Sequence, residues 1–152
     1  MNYFLIAVKD IVVSRKFYED LFGLKVKFDF GKNIAFEGGL ALQENFAELM
    51  GISEDDIKHK TNNFELVFEK DDIDDFILKI NEYKGIEYAH PLKEYPWGQR
   101  VIRIYDLDKH IIEIGESFVT VIKRFLKNGL SVEETAKMTM HPIEFVKSCV
   151  DK

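Results

Sequence analysis

The sequence predicts an α+β fold in which a βαβββ module occurs twice and a helical arm follows. Three observations predict it. A shift of 62 residues lays Asp10-Ile11 over Asp72-Ile73 and Gly23 over Gly85, the mark of an internal repeat. Apolar residues recur at the 3.6 spacing of a one-sided helix at Ile11, Val13, Phe17, Tyr18, Leu21 and Phe22, and again at Ile73, Phe76, Ile77, Ile80 and Tyr83. Each of these stretches is followed by short strand-like runs broken by glycines.

The elements follow in order. The first strand lies in Tyr3–Val8. Asp10 then offers a side-chain oxygen to the orphan N–H groups of a helix over 11–22, which Gly23 ends. Strands follow at 24–30, 33–37 and 40–44, with Gly31 and Gly38-Gly39 as turns. A spacer over 46–62 has room for a short helix or two. The second module starts with a strand at Glu65, an Asp72-capped helix over 73–83 and strands at 86–90, 100–105 and 110–115. The segment 91–98 holds two Pro and one Gly and predicts a loop.

Beyond residue 116 the pattern changes. Phe118, Val121, Ile122, Phe125 and Leu126 stand at helical spacing, and Gly129 stops that helix. Ser131-Val-Glu-Glu134 is a capping-box signature, and Pro142 opens a last helix. The arm is expected to bury Phe118, Val121, Ile122, Phe125 and Phe145, with Cys149 as a small core residue. Two short helices about a turn have the outline of a helix-turn-helix, but no basic arm flanks them, so a packed helical arm is the preferred reading. The domain division is therefore 1–116, with modules at about 1–45 and 63–116, and an extension over 117–152.

Composition narrows the function. The 152 residues carry 27 acids against 21 bases, a net charge of -6. Surfaces for nucleic acid or anionic membrane need the opposite sign, so neither is expected as a partner. One cysteine excludes a disulfide framework and a Cys-based zinc site. No run approaches 18 apolar residues and the first ten residues lack a basic leader, so a cytoplasmic location is expected. Thirteen Phe residues suggest a Phe-lined core or pocket.

Strand alternation nominates the chemistry. In the first strand Tyr3, Leu5 and Ala7 share one face, and Phe4, Ile6 and Val8 face the helix. The matching strand puts Glu65 on the first kind of face, and the last strand puts Glu113 there. Aligning Leu40-Ala-Leu-Gln43 with His110-Ile-Ile-Glu113 adds Gln43. Carboxylates in strands otherwise written in isoleucine are costly unless paired or ligated. Two aimed into one cavity would repel, so one would take a proton or both would bind a cation. Arg100 and Arg103, three apart on one strand, must take opposite faces. One of them with Tyr95 and Trp97 would suit a carboxylate or phosphate; the alternative is pairing with nearby acids such as Glu94, Asp106 and Asp108.

The segments Val8-Lys-Asp10…Ser14…Phe17-Tyr18-Glu-Asp-Leu-Phe-Gly23-Leu24 and Pro96-Trp97-Gly98-Gln99-Arg100…Asp106-Leu-Asp108-Lys-His110-Ile-Ile-Glu113-Ile resemble the two signatures of the glyoxalase/bleomycin-resistance/dioxygenase group, the vicinal oxygen chelate superfamily. The resemblance spans residues 1 to about 116. It implies a curved, partly open eight-stranded sheet, a homodimer and a small-molecule ligand. It also implies a divalent metal held from the first and fourth strands of each module. Glu113 matches the family's last ligand, Gln43 falls where Glu is frequent, Glu65 where His is frequent, and Tyr3 where His or Gln is frequent. That donor set is all oxygen and suits Mg²⁺, Mn²⁺ or Ca²⁺ better than Zn²⁺. The family's Asp-Pro-Asp-Gly turn reads Asp106-Leu107-Asp108-Lys109 here, and His110 is not a family ligand. The resemblance leaves two functions open. One is a metal-dependent lyase or isomerase acting on an oxygen-rich molecule, with Glu65 or Glu113 as general base. The other is a metal-free binding or drug-sequestering protein with a pocket that includes Tyr3, Trp97 and one of the two arginines.

Overall fold

The computed structural model describes residues 2–151. The chain forms two compact units, 1–64 with 105–110, and 65–104 with 111–152.

The first unit contains β1 (Phe4–Ala7), α1 (Ile11–Phe22), β2 (Val26–Asp29), β3 (Asn33–Phe36), β4 (Leu40–Gln43) and α2 (Phe46–Met50), then a 3-10 turn at Glu54–Asp56. Its sheet has the order β1-β4-β3-β2, with β1 parallel to β4 and the other pairs antiparallel. Asp10 caps α1 by accepting from the N–H groups of Val12 and Val13 at 3.0 Å, and Gly23 ends it in the left-handed region at φ 67°. Ile11, Ser14, Phe17, Tyr18, Leu21 and Phe22 form the buried stripe of α1, which packs on β3 and β4. Phe4 was expected beside Ile6 and Val8 in the core. Ile6 and Val8 are buried, but Phe4 is 69% exposed within the chain. It starts an edge strand, whereas α1 covers the two inner ones.

The second unit repeats the topology with β5 (Glu65–Lys70), α3 (Ile73–Glu82), β6 (Glu87–Glu94), β7 (Arg100–Tyr105) and β8 (Ile111–Glu116). The sheet order is β5-β8-β7-β6, with β5 parallel to β8. Asp72 caps α3 through the Asp75 N–H. The helix runs to Glu82 with Tyr83 as its C-cap, and Gly85 serves the turn beyond it at φ 84°. Half of the expected loop over 91–98 is strand, because β6 runs through Pro91 to Glu94. Proline is tolerated there since β6 is an edge strand, whose outward N–H groups need no partner. The turn shrinks to Tyr95–Gln99, closed by the Tyr95 N–H donating to the Gln99 carbonyl at 2.9 Å.

The arm is α4 (Phe118–Lys127), α5 (Val132–Thr139) and α6 (Ile143–Val150). Ser131 and Glu134 form the capping box at the start of α5. Ile122, Ala136, Val146 and Cys149 make a small core, with Phe118, Leu126, Val132 and Phe145 packed around it. Of the five side chains expected inside, Val121 and Ile122 are fully buried and the three Phe are half-buried. Among the described residues no helix is long and apolar enough to cross a membrane.

Candidate functional site

On the open face of the second sheet each strand contributes a polar side chain to one cluster: Glu65 on β5, Glu113 on β8, Arg103 on β7 and His90 on β6. Glu65 and Glu113 share a face because the parallel register sets Val67 beside Glu113 and alternation does the rest. The expected meeting of two carboxylates occurs, but they meet a guanidinium. Arg103 Nε donates to Glu65 Oε2 at 2.8 Å and Nη2 to Glu65 Oε1 at 3.4 Å. Nη2 also donates to Glu113 Oε2. Nη1 donates to the Tyr95 hydroxyl at 2.8 Å and to His90 Nε2 at 3.0 Å. His90 Nδ1 faces the Pro91 carbonyl at 2.7 Å, so the tautomer that fits carries its proton on Nδ1.

Every Arg103 donor position is spent, and two carboxylates against one guanidinium leave the group net negative. Hydrogen bonding to Arg103 holds Glu65 below its ordinary range against the effect of burial. Burial pushes Glu113 up, Arg103 opposes it, and the neighbouring Glu65 charge adds to the rise. The two carboxyls thus titrate apart, as coupled groups do.

Arg100 takes the opposite face, as its spacing requires. It meets Glu116, whose side chain is fully buried, at 2.8 Å and forks onto Asp74 at 3.0 Å. Arg124 of α4 reaches Glu116 at 2.7 and 2.9 Å. Neither Arg100 nor Arg103 pairs with Glu94, Asp106 or Asp108, the local acids offered by the sequence. The partners lie across the sheet, where sequence distance gives no hint. No motif spacing in the sequence marks Glu116, Arg124 or His90. Glu116 follows Ile112 and Ile114 on the helix-packed face, and a lone carboxylate in that row signals a buried cation partner.

Tyr3 and Gln43 belong to the first unit. Tyr3 is half-buried just before β1. Gln43 is 7% exposed and committed to its own hairpin. Its Oε1 accepts from Asn33 Nδ2 at 2.8 Å, and its Nε2 donates to the Glu44 and Lys32 carbonyls at 2.8 and 3.1 Å. The register also moves the repeat alignment. Leu5 pairs with Ala41, whereas its counterpart Val67 pairs with Glu113. Ala41, not Gln43, therefore stands where the first module matches Glu113.

A divalent metal does not fit the donors as they stand. Glu65 and Glu113 are occupied by a built-in cation, the Gln43 Oε1 that could ligate accepts from Asn33 instead, and the Glu113 counterpart is an alanine. Among the described residues no three His, Cys, Asp or Glu side chains are grouped to hold a metal ion.

The turn Asp106–Lys109, which departs from the signature, is held by hydrogen bonds in the first unit. Asp106 Oδ2 accepts from the Tyr18 hydroxyl at 2.7 Å and His110 Nδ1 at 2.8 Å, and Asp106 Oδ1 accepts from the N–H groups of Asp108 and His110. Lys109 holds the glycine slot at φ 69°. Burial, then the Asp106 charge, push the Tyr18 phenol well up.

A family model described as a glyoxalase-like domain matches residues 1–119. The chain belongs to the glyoxalase-like domain family. Among solved structures it is similar to a protein of unknown function from Agrobacterium tumefaciens, at 38% identity and TM-score 0.65 over 77% of this chain and 93% of that one. It is also similar to a glyoxalase/bleomycin resistance protein/dioxygenase family enzyme from Burkholderia phytofirmans, at 18% identity and TM-score 0.65 over 76% and 96% of the two chains. A fosfomycin resistance protein from Listeria monocytogenes aligns at 21% identity and TM-score 0.60 over 77% and 92%. The last two likenesses are of fold. Comparison with curated proteins finds no match. The glyoxalase-like match ends at residue 119, and α5 and α6 lie beyond the matched residues.

Proposed function

We propose that this glyoxalase-like protein binds a small molecule without a metal ion. The observation that carries the reading is the Arg103 guanidinium seated between Glu65 and Glu113. It supplies the positive charge that a divalent cation would otherwise bring to those carboxylates. Because Arg103 has no donor left, the net negative group attracts ligand hydroxyls, amines or cationic groups rather than an anion. Glu65 and Glu113 accept from them, and the Tyr95–Trp97 pair, stacked at 4.7 Å, supplies apolar surface beside them. A metal-dependent lyase or isomerase is the competing reading, and the raised Glu113 is what favours it, as a proton carrier.

Metal linkage separates the two. Thermal melts of wild type and Glu113→Gln with Mg²⁺, Mn²⁺, Ni²⁺ and Zn²⁺ should show no metal-dependent shift beyond one common to both. A resident metal would stabilise the wild type by about 2.7 kcal/mol at one hundred times Kd. A rise of that kind, lost in Glu113→Gln, overturns the metal-free reading and restores the enzyme.

A further inference from the structure

A groove of about 670 Å³ lies in the second unit between the Tyr95–Gln99 hairpin and α5. Pro96 and Trp97 form one wall; Leu130, Met138 and Met140 form the other. Glu134 and Lys137 lie on the lining too and contribute one charge of each sign.

The hairpin wall and the start of α5 are held before any ligand arrives. Gly98 sits at φ 83° against the Phe125 ring, so close that a Cβ there would lie 2.1 Å from the ring. Arg124 Nη2 donates to the Gly98 carbonyl at 2.6 Å and locks the hairpin to α4. Trp97 stacks on Tyr95 with an interplanar angle of 16°. Its only donor, Nε1, is spent on Gln99 Oε1 at 3.1 Å, so what the indole offers is its ring. The Ser131–Glu134 capping box holds the start of α5. Opposite these rigid parts, Met138 and Met140 are 45% and 75% exposed, flexible thioethers with an affinity for aromatic rings.

We propose that this groove is a binding site for a neutral, planar aromatic small molecule that lies against Trp97 and is covered by Met138 and Met140. The volume falls within the several hundred Å³ of drug-sized pockets. The balanced charges favour a neutral guest. The lining is too small for a second copy of the chain, which takes some 20–30 residues a side. Pre-organised walls keep the ordering cost of binding low. The groove is distinct from the Glu65–Arg103–Glu113 group and shares with it the Tyr95–Trp97 hairpin, while α5, beyond the residues that the family model matches, supplies Glu134, Lys137 and Met138.

Trp97 is the sole tryptophan and reports on the groove directly. The probe is N-phenyl-1-naphthylamine, a neutral aromatic that fluoresces on leaving water and accepts energy from tryptophan. Wild type should bind one equivalent saturably, with quenching of Trp97. Met138→Lys/Met140→Glu, at two exposed positions, should weaken binding at least tenfold. Leu78→Lys, at an exposed apolar site on α3, should not. No saturable binding, or equal binding by all three proteins, overturns the site. So does sedimentation showing a dimer that Met138→Lys/Met140→Glu dissociates, because the groove would then be covered by a second copy.

Discussion

Replacing Glu116 by Gln tests how the arm is held to the second sheet. The Glu116 side chain is fully buried and takes five hydrogen bonds, from the Arg100 backbone and guanidinium and from Arg124. Burial alone would raise its pKa; the hydrogen bonds from Arg124 and Arg100 win and take it from 4.5 to about 2. At about 1.4 kcal/mol per pH unit, that drop is worth roughly 3 kcal/mol at neutral pH. The arginines are 28% and 31% exposed, and solvent screening at that exposure leaves about 2 kcal/mol. The sign follows from the lowered native pKa. The stabilisation is complete above the unfolded value of 4.5 and fades as pH falls toward 2. Urea unfolding followed by Trp97 fluorescence should show Glu116→Gln about 2 kcal/mol less stable than wild type at pH 7. In a thermal melt that is roughly 4–8 °C for a chain of this size. The gap should narrow below pH 4.5 and nearly close by pH 2, because the carboxyl is then protonated in the unfolded wild type and half protonated in the folded one. Other acids titrate in both proteins and cancel in the difference. A gap that stays constant between pH 6 and pH 2.5 would refute the reasoning.

Three further substitutions follow from local geometry and are read by urea or thermal unfolding. Gly98→Ala should destabilise by about 2 kcal/mol or more, since its Cβ would lie 2.1 Å from the Phe125 ring at φ 83°; an unchanged midpoint would mean that the hairpin is not locked to α4. Lys109→Gly should stabilise by up to about 1 kcal/mol by relieving a φ of 69°, partly offset by the entropy of glycine; a loss of stability would contradict it. Thr135→Val should stabilise by about 1 kcal/mol, because Thr135 Oγ1 is buried in α5 with no hydrogen-bond partner; a loss would show that the hydroxyl is in fact satisfied.

Much of the architecture was legible because it is written in local chemistry. Asp10 and Asp72 announce two helices, Ser131 and Glu134 a third, and each makes the bond its side chain implies. The opposite faces of Arg100 and Arg103 followed from strand alternation alone. What resisted reading depends on which strands become neighbours. Pro91 broke the expected strand only until β6 took the edge of its sheet, where a missing N–H costs nothing. Gln43 aligned with Glu113 by letters, but two residues of parallel register give that place to Ala41. The repulsion expected between Glu65 and Glu113 was sound as physics. It lacked the order β5-β8-β7, which sets Arg103 on the strand next to Glu113 and within reach of Glu65.

The two arginines of β7 show how one strand serves both stability and site. On the helix side, Arg100 and Arg124 surround a fully buried carboxylate, so removing either cation leaves it with a single guanidinium partner. On the open side, Arg103 balances carboxylates that keep 35% and 15% exposure and can still reach a ligand. The same hairpin joins the two. Tyr95 gives its hydroxyl to Arg103 and its ring to Trp97, while Gly98 gives its carbonyl to Arg124. A change at the arm therefore has a physical route to the open face, through a turn held at both ends. Loss of the Arg124–Gly98 bond should loosen the Tyr95–Trp97 stack before it touches Glu65 or Glu113.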